Sequence, residues 1–126
     1  MAKKKKKRLP EWLAVVEEHY FAAAASYLAL IYPPARCADV VAALRKAELV
    51  KFKAKDIFRA SQLSLLGVSN SHVAKDRANI DDGVRLSPLL LLRDAQNGKV
   101  VVADGYHRLC AVYETDEDAW IPCKIV

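Results

Sequence analysis

The fold of this chain is decided by residues 99–113, which read KVVVADGYHRLCAVY. The apolar run at 100–103 predicts a buried strand, and apolar residues at helical spacing directly afterwards predict a helix. Gly105 permits a tight turn between the two, because a residue without Cβ turns freely. Asp104 is a candidate N-cap of the helix. We therefore expect a strand, a glycine turn and a helix start in immediate succession.

The predicted helix start is a candidate anion site, because unpaired N–H donors and the positive end of the helix dipole attract phosphate. His107 and Arg108 fall in the first turn, where the dipole disfavours a cation unless an anion is bound. Arg108 offers a planar fork for two phosphate oxygens, or is a surface salt-bridge partner. His107 can act as a base or donor near neutral pH. Asp104 could orient the histidine, help a magnesium ion or simply cap the helix.

Composition predicts one globular domain, since the chain has 126 residues and is 53% hydrophobic. The net charge is +5, but Lys3–Arg8 alone contribute six positive charges, so the rest is close to neutral. That run suits nucleic acid, an anionic membrane surface or plain solvation. No second basic face supports nucleic-acid binding, which we therefore do not favour. We expect residues 1–9 to be a disordered basic tail.

The cysteines and the apolar segments bear on the compartment. Cys37, Cys110 and Cys123 are an odd number without a Cys-x-x-Cys pair, which favours a reduced cytoplasmic setting. Cys110 and Cys123 are most simply small buried apolar groups. Acidic residues between positions 11 and 18 interrupt any signal peptide, and later apolar segments are too short to span a membrane. We expect a cytoplasmic protein with no membrane span.

Residues 10–48 predict a helical hairpin packed on the core. Pro10 fits a first helical turn, and apolar residues then recur at spacings of three and four as far as Pro33-Pro34. A second helix is expected over 35–48. His19 is interpreted as a surface or core-capping histidine, and we assign no metal-ligating residues.

Residues 49–126 predict a mixture of strands and helices around one core. Val50 and Phe52 alternate with lysines, which is typical of a strand with one buried face, and a short helical turn is expected near Asp56. A polar helix over 72–82 is expected to lie on the surface or to face a ligand. We also expect an antiparallel hairpin of strands 88–93 and 99–103 turning at Asn97-Gly98, and a last strand over 121–125 near a sheet edge.

The sequence VADGYHRLCA at 102–111, with IPCKIV at 121–126, resembles the ParB/sulfiredoxin superfamily. The resemblance covers about residues 50–126 and implies an α+β fold with a small mixed sheet, flanking helices and a phosphate-binding turn. Sulfiredoxins have their reactive cysteine where this chain has Tyr106, which argues against sulfinic-acid reduction. ParB proteins bind CTP through a turn that Gly105 and Arg108 match, but a second arginine of that motif and a helix-turn-helix domain are not found here.

Free-serine kinases and related Asp-Gly-x-His-Arg proteins resemble the turn most closely. That branch implies a nucleotide (ATP, ADP or CTP) with Mg²⁺, and either hydrolysis or phosphoryl transfer to a small hydroxyl acceptor. Asp104 and His107 would be catalytic, while Gly105, Tyr106 and Arg108 would bind phosphate or base. Ser71, His72 and Lys75 on the preceding helix are expected to add ligand contacts. Asp56 is a candidate for a further acidic residue that this branch supplies from an earlier loop.

Two other interpretations remain open. The first is a non-catalytic ParB-like adaptor that binds DNA or protein through Lys3–Arg8. The second is a structural domain whose site has lost its function. Tyr106 is likewise open between stacking on a base and packing in the core.

Overall fold

The computed structural model describes residues 8–126. Within these residues the elements are α1 (Glu18–Leu28), α2 (Pro34–Lys46), β1 (Val50–Lys53), α3 (Ala54–Ser61), α4 (Ser71–Asp81), β2 (Leu89–Asp94), β3 (Lys99–Asp104), α5 (Tyr106–Thr115) and β4 (Trp120–Ile125). The fold is α+β, as the sequence predicts. Most of the expected tail, at residues 1–7, lies outside the described residues.

The four strands form one mixed sheet in the order β1-β4-β2-β3. β2 and β3 form the predicted antiparallel hairpin, β4 runs parallel to β2, and β1 is antiparallel to β4. The prediction that the last strand lies near a sheet edge is wrong. β4 is internal because β1, from an earlier part of the chain, pairs with its other side, and sequence periodicity holds no information on strand order.

One face of the sheet is covered by α3, α4 and α5. The apolar residues buried in this layer include Ile57, Val73, Ile80, Leu89, Leu91, Val102, Leu109, Val112, Ile121 and Cys123. Only Gly105 separates β3 from α5, which lies back over the sheet, and α4 packs beside α5. Burial of this apolar surface is the main stabilising contribution on this face.

The other face of the sheet is covered by α1 and α2. The residues buried there include Phe21, Ala24, Leu28, Val40, Leu44, Leu90, Leu92, Val101 and Ala103. Leu89–Leu92 are therefore buried on both sides of the sheet, as their unbroken apolar run predicts. None of the helices within residues 8–126 is long and apolar enough to cross a bilayer.

The prediction of one helix from Pro10 to Pro33 is wrong, since α1 begins only at Glu18. Residues 11–13 instead pair with a distant segment: Leu13 N–H donates to the carbonyl of Leu86, and Leu86 N–H donates to the carbonyl of Glu11, each at 2.8 Å. Glu17 N–H then donates to Ser87 Oγ at 3.1 Å. These long-range hydrogen bonds satisfy backbone groups that a local helix would otherwise have paired.

The expectation that β1 buries its apolar face is also wrong. Val50 and Phe52 remain 40% and 36% exposed. β1 lies at the edge of the sheet, so among residues 8–126 it has a neighbouring strand, β4, on one side only. The short helical turn expected near Asp56 is confirmed as α3.

Gly105 joins β3 to α5 with a φ of +112°, a conformation that side chains with a Cβ rarely adopt. A Cβ at this position would lie 2.6 Å from Leu89 Cγ and 2.9 Å from Arg108 Nη2. We therefore predict that Gly105→Ala lowers the free energy of unfolding by about 3 kcal/mol, measured by urea denaturation.

The matched control is Gly98→Ala, because Gly98 also has a positive φ, of +64°, but open space where a Cβ would lie. The free energy of unfolding of this variant should fall by only about 1 kcal/mol. Equal losses in the two variants would contradict the crowding described at Gly105.

Candidate functional site

The start of α5 presents free backbone donors. Gly105 is the N-cap, and no side chain among residues 8–126 caps the helix. Leu109 N–H donates to the carbonyl of Gly105 at 2.8 Å, so the preceding N–H groups, of Tyr106, His107 and Arg108, have no partner within the helix. α4 differs, because Asn70 Oδ1 accepts from the first-turn N–H groups of that helix.

The prediction that Asp104 caps α5 is wrong, because its carboxylate binds Arg108 instead. Arg108 Nη2 donates to Asp104 Oδ2 at 2.7 Å, and the two side chains are 7% and 13% exposed. The guanidinium also lies 4.2 Å from the centre of the Tyr20 ring. Arg108 Nε is buried and has no hydrogen-bond partner among residues 8–126. Arg108 is therefore neither a surface salt-bridge partner nor fully satisfied by the protein.

A polar cavity of about 270 Å³ opens beside this turn. Residues 104–108 form one wall, and α4 forms the opposite wall with His72, Lys75, Asp76 and Asn79. Tyr20 of α1 completes the lining. The cavity thus lies where elements from both faces of the sheet meet at the end of β3.

Most of the residues predicted for the site are brought together here. The rings of His72 and His107 contact each other at the cavity wall with centres 4.8 Å apart, and the Tyr106 ring stacks on His107 at 5.6 Å. Tyr106 also packs against the core, and its hydroxyl donates to the carbonyl of Ser64. Lys75 lines the α4 wall. Ser71 begins α4 but does not line the cavity.

Sequence reasoning missed Tyr20, Asp76 and Asn79. The spacing of Asp76 and Asn79 could have indicated their role, because they lie four and seven positions after His72 and therefore share its face of the helix. Tyr20 had no such signal, since only tertiary packing brings α1 to this point.

Asp76 is a second carboxylate of the cavity, in addition to Asp104. Burial raises the pKa of Asp76, while Arg108, His107, Lys75 and His72 act in the opposite direction. The cavity therefore combines cationic side chains with two acids: Asp104, which is paired with Arg108, and Asp76, whose charged form the fold disfavours.

Asp56 is not part of this site. It lines a separate cavity of about 410 Å³ between α3 and the sheet. That cavity and two others, of about 530 and 460 Å³, are larger than the one beside α5, but their accessible linings are mainly apolar. We place the site in the smaller cavity because the free amides and the partly unpaired guanidinium are there.

Cysteine chemistry has no support in this structure. Cys37, Cys110 and Cys123 are free and buried. Burial raises the pKa of the Cys110 thiol, and raises that of Cys123 to about 12. A thiol that stays protonated and inaccessible is a poor nucleophile.

Metal ligation by the protein alone is not indicated either. Within residues 8–126 there is no group of three or more His, Cys, Asp or Glu side chains arranged to hold a metal ion. Mg²⁺ commonly binds through one or two carboxylates together with the phosphates of its ligand. A Mg²⁺ ion carried by a nucleotide would therefore need only one or two carboxylates from the protein.

No protein-family model, curated protein or solved structure matches this chain. The geometry and charge of the cavity are therefore the basis for assigning a function.

The raised pKa of Asp76 predicts a pH-dependent cost to stability. The folded state favours the protonated carboxyl of Asp76. The stability that this carboxyl contributes is fully present below its pKa in the unfolded chain, about 3.9, and is lost as pH rises through its higher pKa in the folded protein. Asp76→Asn should therefore match wild type at acid pH and unfold at higher urea concentration at neutral pH. Asp81→Asn, on the exposed side of α4, is the control. A neutral-pH loss of stability in Asp76→Asn would show that its ion pairing outweighs its burial.

Proposed function

We propose that this protein binds the phosphate chain of a nucleotide in the cavity beside α5. The observation that carries this proposal is the combination of uncapped first-turn amides in α5 with a buried guanidinium that the protein leaves partly unpaired. Both features supply hydrogen-bond donors that have no acceptor within the described part of the chain, and the partial positive charge of the helix start acts in the same direction.

The surrounding side chains favour an anion with several oxygens. Arg108 is fixed by Asp104, so its guanidinium is held in place before a ligand arrives. His72, His107 and Lys75 add further donors around the same space. Charge-assisted hydrogen bonds from such groups are about twice as strong as neutral ones, which suits a di- or triphosphate.

The size of the cavity limits what it can enclose. At about 270 Å³ it lies below the usual range for small-molecule sites, roughly 300–1,000 Å³. It has room for phosphates, and the nucleoside would lie at its mouth, near the rings of Tyr106 and His107. Recognition would therefore depend on the phosphates, so ATP and CTP, which share the same triphosphate, would differ little in affinity.

Hydrolysis, or transfer of a phosphoryl group to a small hydroxyl acceptor, is the reaction that the resemblance to free-serine kinases implies. Asp104 already binds Arg108, so it positions the guanidinium rather than exchanging protons. His107 and Asp76 are the remaining groups for proton transfer, and Asp76 is a carboxylate for Mg²⁺ carried by the nucleotide. Phosphoryl transfer needs mainly positioning and charge neutralisation, which these residues supply. The element order from β1 to β4 also suits the ParB/sulfiredoxin layout.

We predict that ATP, ADP and CTP with MgCl₂ stabilise the full chain, and that adenosine does not. A ligand at a hundred times its Kd adds about 2.7 kcal/mol, which raises Tm by about 10 °C in a domain of this size. Lys75→Ala and Arg108→Lys should each weaken binding by about tenfold, the second because lysine lacks the planar fork. Thermal shift followed by isothermal titration calorimetry measures both effects.

Arg77→Ala is the matched control, because it removes the same charge from the same helix outside the cavity. Arg108→Lys is preferred to alanine, since leaving Asp104 buried without its partner would cost about 3 to 5 kcal/mol by itself. Wild-type affinity in both Lys75→Ala and Arg108→Lys would refute the proposal. So would stabilisation by adenosine equal to that by ATP.

A further inference from the structure

The outer edge of β1 is open. β1 is the first strand of the sheet order and pairs only with β4 among residues 8–126. An edge of this kind presents backbone donors and acceptors on which another strand can form. β1 and β3 are the two opposite edges of the sheet, and the cavity at Arg108 lies at the β3 edge. Strand pairing at β1 therefore does not depend on anion binding.

The register fixes which backbone groups face outward. Antiparallel pairs alternate between those that exchange both hydrogen bonds and those that exchange none. Lys51 pairs with Pro122, which has no N–H, so in a regular ladder these two residues are a non-hydrogen-bonded pair. Consistent with this, Ala54 N–H donates inward to the carbonyl of Ala119 at 2.9 Å. The N–H and C=O groups of Lys51 and the N–H of Lys53 therefore point to the open edge, whereas the carbonyl of Lys53, as the N-cap of α3, accepts the first hydrogen bond of that helix.

The side chains of β1 divide into an apolar and a basic set. Val50 and Phe52 are exposed on one side, and Phe52 borders the cavity of about 410 Å³ together with Ile57 and Leu91. Exposed apolar side chains beside an apolar cavity are typical of an interaction surface. A strand added at the open edge would place every second side chain beside Phe52, at the outer border of this cavity.

The basic set makes the edge selective. Lys51 and Lys53 lie on the opposite side from Phe52, because side chains alternate along a strand. Lys53 Nζ lies 4.0 Å from Asp118 Oδ1, which also binds Lys55 at 2.6 Å, so one carboxylate serves both lysines. An added strand would place its remaining side chains against this basic row.

A second copy of this chain does not suit the edge. Outward-facing backbone groups bond to each other, so self-pairing of β1 would set Lys51 opposite Lys51 or Lys53. Like charges directly opposite each other destabilise a strand pair. The lysines of residues 3–7 have the same charge and suit it no better.

We infer that β1 binds an extended segment of another protein in which acidic and apolar residues alternate. The segment adds a strand to the sheet through the N–H and C=O of Lys51 and the N–H of Lys53. Its apolar side chains lie beside Phe52, and its acidic side chains lie beside the lysines. Backbone bonds supply affinity, and the alternation supplies specificity.

The test uses the full chain and four synthetic hexapeptides. The first alternates glutamate with leucine, and the second alternates lysine with leucine. Two further glutamate–leucine peptides carry backbone N-methyl groups on alternate residues, one peptide on its glutamates and the other on its leucines. Binding is followed by titration calorimetry and by the fluorescence of Trp120, which pairs with Lys53 and is 56% exposed.

The glutamate–leucine peptide should bind, and the lysine–leucine peptide should not. One methylated register should lose binding and the other should keep it, because only one faces β1. Lys51→Glu should weaken binding of the glutamate–leucine peptide by about tenfold and allow the lysine–leucine peptide to bind. Lys46→Glu on α2, an equal charge reversal on another exposed residue, should change neither.

Three results would each overturn the inference. The first is no binding of the glutamate–leucine peptide, which would leave the lysines as a guard against edge pairing. The second is equal loss, or no loss, in the two methylated registers. The third is self-association of the wild-type chain that Lys51→Glu changes, seen by sedimentation, which would make a second copy the occupant.

Discussion

The ion pair between Asp104 and Arg108 joins the last residue of β3 to the first turn of α5 across a single glycine. A buried pair of this kind adds little net stability, but removing either partner leaves a buried charge that costs several kcal/mol. Its geometry also depends on Gly105, since a Cβ there would crowd Arg108 Nη2. Turn, helix start and guanidinium are therefore one unit, and its effect is to hold a cation where the helix dipole alone would disfavour one.

This unit acquires its surroundings from both layers of the fold. α4, which packs with α5 on one face of the sheet, supplies four of the cavity's side chains, and α1, from the other face, supplies Tyr20 under the guanidinium. α1 is far in sequence from residues 104–108 and from α4, yet its Tyr20 completes the lining of the cavity. Packing in both cores thus determines the position of the binding groups, which makes the cavity sensitive to changes far from it in sequence.

Local signals in the sequence predicted the central part of this structure. The apolar run at Leu89–Leu92, the turn before Lys99 and the glycine at 105 each specify their own backbone, so the hairpin and the start of α5 were accessible. Long-range pairing was not: α1 begins late because residues 11–17 bond to a segment about 70 positions away, and β4 is internal because β1 pairs with it. The site follows the same division. Residues 104–108 and the His72 face of α4 could be found from spacing, whereas Tyr20 could not.

The most direct measurement is a titration of the ¹⁵N-labelled chain with MgATP, followed by NMR of backbone amides and of the Arg108 Nε–H. Anion binding at the start of α5 predicts that Arg108 Nε–H and the amides of Tyr106, His107 and Arg108 shift together with one affinity, while the amides of β1 stay in place. If those four signals do not move at saturating nucleotide, or if the shifts fall elsewhere in the chain, the cavity beside α5 is not an anion site.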